Sequence, residues 1–148
     1  MIKRLTAILL ALHLALLGAA GAVSAAFAAP PEPLLPVQIF DVAAGKVVKT
    51  LDNNEEYQNF AKGWLASVTG LAPQVQPDEK CGYVFRVPLA ASQTVKVDQN
   101  EFNVQDVFLF YCPDKPPVLL VFDTNRRPYL LSVQTDLAPF LSKVGLSR

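Results

Sequence analysis

Histidine is almost absent from this chain of 148 residues, the only one being His13 in an apolar stretch near the N-terminus. That scarcity excludes Ser-His-Asp and Cys-His nucleophile activation, histidine general-base chemistry, histidine-ligated zinc or copper, and a histidine pH switch. Sulfur is nearly as scarce. Two cysteines, Cys81 and Cys112, and one methionine, Met1, leave no thiolate or thioether set for a soft metal. The cysteines lack the C-x-x-C spacing that lowers a thiol pKa, so a structural disulfide between Cys81 and Cys112 is expected rather than a redox-active pair. Glycine-rich phosphate loops are missing too. The 13 basic residues match the 13 acidic ones, and nothing in that balance draws the chain to nucleic acid or to an anionic membrane. No cofactor and no metal site are expected.

What is present begins with a leader. Lys3 and Arg4 precede an uncharged run over residues 5–17, followed by small residues ending in Ala26-Phe27-Ala28. This is the order of a secretory signal peptide, residues 1–28, with cleavage expected after Ala28. Residues 5–27 are also long enough to cross a bilayer core of about 30 Å, so contact with a membrane is expected only if the leader is kept as an anchor. Export to an extracytoplasmic, oxidising compartment fits the disulfide. Without Lys3 and Arg4 the charge of the remainder is slightly negative. Residues 29–36 carry Pro30, Pro31, Pro33 and Pro36 and read as an extended lead. Residues 37–148 are then one domain of ordinary size.

Within that domain, residues 37–42 and 46–51 are short β-prone runs around Ala43-Ala44-Gly45, a hairpin signature. Next, Tyr57, Phe60, Ala61, Trp64, Leu65 and Val68 recur at helical spacing and form one apolar stripe. Asp52, Asn53 or Asn54 can cap this helix, and Gly70 suits its C-terminal end. Trp64 sits in the middle of the stripe, which points to core packing. The rest is strand-rich, with runs at 83–87, 94–97, 102–111, 118–122 and 129–133. The links at 98–101, 114–117 and 125–128 are too short for parallel crossovers. Residues 118–122 are apolar throughout, the mark of a central strand covered on both faces. A last helix is expected from Thr135 or Asp136 to Val144. The fold class is therefore α+β: an antiparallel sheet of about five to seven strands, one long amphipathic helix and a short C-terminal helix. The order of elements resembles cystatin-like inhibitors and small exported envelope modules in outline, without a matching motif.

If 98–101 is the turn, Cys81 lies farther from it than Cys112 by six residues, and both reach one end only if the first strand is interrupted. Pro88, which cannot donate to a ladder, places the excursion at 88–93, a segment open to a partner.

Among side chains that could act, carboxylates remain. Asp98, Glu101, Asp106 and Asp123 are available for two-carboxylate glycoside hydrolysis, although acidic residues at turns ordinarily serve solvation and local hydrogen bonds. Asp106 shares its expected face with Val104 and Phe108, and an ion pair with Arg86 would accommodate it. Asp98-x-Asn100 begins like a calcium loop but continues with Phe102 and no closing glutamate. Arg126 and Arg127, with Asp123 and Tyr129 alongside, form the best binding candidate, a guanidinium site for a carboxylate or phosphate. The expected function is an exported, non-enzymatic module that binds an extracytoplasmic protein or envelope polymer as an inhibitor, accessory or assembly factor. The alternative is a carboxylate-dependent hydrolase acting on cell-wall polysaccharide.

Overall fold

The computed structural model describes residues 32–73 and 80–146. The expected leader, its cleavage after Ala28 and the start of the proline-rich lead lie outside them. Residues 32–36 have no regular structure, and the carbonyl of Leu35 accepts a hydrogen bond from the Asn53 side chain at 3.0 Å.

Seven strands and two helices follow. The strands are β1 (Val37–Asp41), β2 (Lys46–Leu51), β3 (Val68–Leu71), β4 (Tyr83–Val97), β5 (Asn100–Tyr111), β6 (Val118–Phe122) and β7 (Pro128–Val133). They form one antiparallel sheet in the order β2-β1-β4-β5-β6-β7-β3. The helices are α1 (Glu55–Ala66) and α2 (Ala138–Val144).

The expected long helix is not found, since α1 has only 12 residues. Its start follows the expected chemistry: Asn54 is the N-cap, its side chain accepting from the backbone N–H groups of Glu56 and Tyr57, with two glutamates in the first turn. Its end comes early. The Ser67 N–H bonds to the carbonyls of Gly63 and Trp64, and its hydroxyl donates to Trp64. Val68 and Thr69 are β-branched, and the segment joins the sheet edge beside β7 instead of extending the helix. Gly70 is thus a strand residue. The C-terminal helix is also shorter than expected: Asp136 accepts from the Ala138 N–H outside it, proline occupies its first turn, and Gly145 closes it at φ 76°.

Both helices lie on one face of the sheet, called the inner face here. Ile39, Phe85, Val87, Val107, Leu109, Leu119, Val121 and Leu131 point into it and are buried. Phe140 of α2 is the hub: its ring meets Trp64 at 4.8 Å, Phe85 at 4.9 Å and Phe60 at 5.3 Å, each edge to face. Trp64 is core, as its place in the stripe requires. A Glu56–Lys143 ion pair joins the two helices across their exposed sides.

The β4–β5 hairpin turns tightly at Asp98-Gln99, with Asp98 at φ 54° and Val97 paired to Asn100. The turn is thus two residues, not the four expected at 98–101. The interruption lies where the proline placed it: Pro88 pairs with Asp106 and Gln93 with Val104, so four residues of β4 face one of β5. It is a wide bulge rather than a free loop. Gln58, the one buried polar residue among those described, holds it in place. Its side-chain amide donates to the Pro88 carbonyl and to Asn53, and its oxygen accepts from the Ala90 N–H, all at 2.8 Å. The bulge also rotates the strand, so Val104 turns inward while Asp106 and Phe108 point outward. The face sharing expected for Val104 and Asp106 therefore does not occur.

Cys81 and Cys112 are disulfide-bonded at the far end of this hairpin, with a Cα–Cα distance of 5.4 Å. Gly82, next to the bridge, has φ 71°, and a Cβ there would come within 1.9 Å of the Tyr111 carbonyl oxygen. Only glycine fits that approach. The disulfide is consistent with an extracytoplasmic location.

Candidate functional site

The alternation of side chains in β1 and β4–β7 leaves a second face, and it is also apolar. Phe40, Val84, Phe108, Phe110, Val118, Leu120 and Leu130 point outward and are half-buried by one another, while Phe122 is 39% exposed. No helix or strand among the described residues lies over them. Strand β6 therefore departs from expectation: Leu119 and Val121 are buried, but Val118, Leu120 and Phe122 are not covered. An apolar run can arise from one core face plus one open apolar face, and sequence alone does not separate that from burial on both.

One ion pair stands in the middle of this outer face. The Arg86 Nε donates to Asp106 at 2.9 Å and its Nη1 to the Gln38 side chain at 3.3 Å, with the guanidinium 5.9 Å from the centre of the Phe108 ring. The Arg86–Asp106 pair suggested by the sequence forms, but both side chains remain one-third exposed. It is a surface feature, not a buried one.

Two hollows open on either side of the Phe108–Leu120 cross-strand pair. The first, about 600 Å³, is lined by Gln105, Asp106, Phe108, Phe122, Asp123 and Arg126 among others. Phe108 and Phe122 meet edge to face at 6.1 Å on its floor. The second, about 450 Å³, is more apolar, with Leu71, Phe110, Leu120 and Leu130 in its lining.

The binding candidate drawn from sequence is divided by this geometry. Asp123 and Arg126 line the first hollow. Arg127 is exposed beside it. Tyr129 packs its ring on Phe102 at 4.8 Å and borders the second hollow, not the first. Asp123 is mainly a turn former: one carboxylate oxygen accepts from the Asn125 and Arg127 N–H groups, both at 2.8 Å, and Arg126 takes a left-handed φ of 62°. A cluster built from adjacent turn residues thus points in two directions. Sequence reasoning missed the aromatics: Phe108, Phe110 and Phe122 read simply as strand formers. The signal was available as outward parity along β5 and β6, but the bulge at residue 105 reverses parity midway and hides it.

Of the remaining carboxylates, Glu101 pairs with Lys96 at 3.0 Å on the exposed hairpin end, and Asp98 occupies the turn. Neither approaches the hollow. Among the described residues no group of three or more His, Cys, Asp or Glu could hold a metal ion, and no helix is long and apolar enough to cross a membrane. Compared with known proteins, the chain matches no family model, no curated protein and no solved structure.

Proposed function

We propose that this protein is an exported, non-enzymatic binding module that holds an extracytoplasmic protein or envelope polymer on the outer face of its sheet. The open apolar face carries this reading. Strands that face water normally alternate to polar side chains, and a contiguous apolar patch on a small domain marks an interaction surface. Arg86 among the phenylalanines adds the residue types that concentrate binding energy at interfaces.

Co-sedimentation with an insoluble envelope preparation, containing both polymer and protein, tests it. The wild type is retained, whereas Leu120→Lys and Phe110→Ser, which place a charge or a hydroxyl on the open face, are not. Retention unchanged by either substitution, in variants that still melt cooperatively, removes the outer face from the function. A wild type that is not retained overturns the reading.

One observation favours the hydrolase alternative: Asp106 and Asp123 line the same hollow. Both carboxylates already have structural partners, Asp106 an arginine and Asp123 two turn amides. Such groups serve poorly as the mobile proton donor that glycoside hydrolysis needs. Release of reducing ends from wall polysaccharide, abolished by Asp106→Asn, would establish the alternative instead.

A further inference from the structure

We infer that the Phe108–Phe122 hollow is a subsite for one uncharged sugar unit of a polysaccharide, an inference that rests on the outer face being the binding surface. Its lining is mixed. Its floor consists of two phenyl rings at 6.1 Å, one of them 39% exposed. Around them stand Asn103, Gln105 and Thr124, uncharged side chains that each donate and accept and are exposed to solvent.

The charges at the site are of both signs. Asp106 is paired with Arg86, Asp123 and Arg126 line the hollow, and Arg127 is exposed beside it. A phosphate or carboxylate ligand would need a surplus of positive charge, and a cation a surplus of negative charge. In the lining taken with Arg86, neither is present. A purely apolar ligand would leave the amides and the hydroxyl facing it without partners. A sugar ring meets both conditions, offering a C–H face to an aromatic ring and a rim of hydroxyls that donate and accept. The volume of about 600 Å³ is of the scale that holds a small ligand. The more apolar hollow lined by Phe110, Leu120 and Leu130 is separate from it and shares no lining residue with it.

Heteronuclear NMR titration of the protein with neutral oligomers tests this, using β-1,4-linked glucose, β-1,4-linked N-acetylglucosamine and α-1,4-linked glucose. At least one oligomer is expected to shift the side-chain amides of Asn103 and Gln105 together with the ring signals of Phe122. Raising the salt concentration should leave that affinity unchanged. Phe122→Ala, at an exposed position where the fold does not depend on the ring, should weaken binding about tenfold. Gln105→Ala provides a second variant that leaves the aromatic floor intact and should also weaken binding. The inference is overturned if no neutral oligomer moves these signals, if only charged oligomers bind and salt releases them, or if the shifts map elsewhere. Retention on the envelope preparation that depends on Leu120, without any sugar response here, sinks the sugar subsite and leaves the broader reading standing.

Discussion

The two faces of the sheet have similar side chains and opposite surroundings. On the inner face Phe85, Val107, Leu109, Leu119 and Leu131 are wholly buried under the helices, while their neighbours Val84, Phe108, Phe110, Leu120 and Leu130 point outward and are only half-buried. Hydrophobicity therefore does not distinguish them. What distinguishes them is whether another element of the chain arrives to cover them, and α1 and α2 both go to one side. The inner face is the core, and among the described residues no helix or strand covers the outer face.

Substitutions on each face sharpen this contrast. Phe140→Ala empties the aromatic hub and is expected to cost about 3–5 kcal/mol, whereas Leu120→Lys should cost less than about 1.5 kcal/mol because the lysine stem can lie along the same surface. Urea midpoints of the two variants measure the difference. Equal losses would mean that the outer face is structural and would weaken its assignment as a binding surface.

Reduction comes next in size. The bridge between Cys81 and Cys112, 31 positions apart, is expected to contribute about 3–4 kcal/mol by limiting the unfolded chain. Paired Cys81→Ser and Cys112→Ser substitutions should lower the melting temperature without altering the side-chain signals around Phe108. Loss of those signals would show that the disulfide also shapes the binding face.

A smaller effect is expected at the bulge. Gln58→Ala removes the acceptor of the exposed Ala90 N–H and one of the two donors to the Pro88 carbonyl, which Asn53 still bonds, a cost of about 1 kcal/mol. Hydrogen exchange should accelerate at Ala90 well before it does in the ladder from Tyr83 to Val87. If Ala90 stays protected, the bulge is held by the strand and not by the glutamine.

The weakest effect is a dependence on pH at the exposed helix pair. The hydrogen bond from Lys143 to Glu56, with the attraction between their charges, raises the lysine pKa, and burial raises that of Tyr57. Both folded values lie above the unfolded ones, so the stabilisation is present below about pH 10 and is lost as pH rises through the folded values. Thermal melts between neutral and strongly alkaline pH should show a shallow decline confined to that upper window. Lys143→Met should make it shallower still, and a decline already present near neutrality would contradict the assignment.

Local features were legible in the sequence wherever the physics is local. Asn54 caps α1 because its side chain reaches amides two and three residues ahead, and Gly145 ends α2 because it tolerates the left-handed conformation. The stripe through Trp64 and the position of the break after Pro88 follow from periodicity and from a missing N–H, and two cysteines leave one pairing, but the register count does not hold, since four residues against one make the excess on β4 three and not six. The length of α1 did not follow. Val68 sits at helical spacing from Trp64, and only the availability of the β7 edge, far along the chain, makes Val68–Leu71 a strand.

The candidate site was still less legible. Asp123, Arg126, Arg127 and Tyr129 are consecutive or nearly so, yet strand parity sends Tyr129 to Phe102 and leaves Asp123 and Arg126 beside Phe108 and Phe122. By itself the sequence determined the antiparallel α+β class, the disulfide, a cap for α1 among Asp52, Asn53 and Asn54, and the Gly145 end of α2, because composition and short-range hydrogen bonding suffice for each. Which apolar face became core was decided only in the tertiary structure. That choice depends on where two helices dock and on a bulge of four residues against one that reverses strand parity at residue 105, both set by contacts between segments distant in the chain.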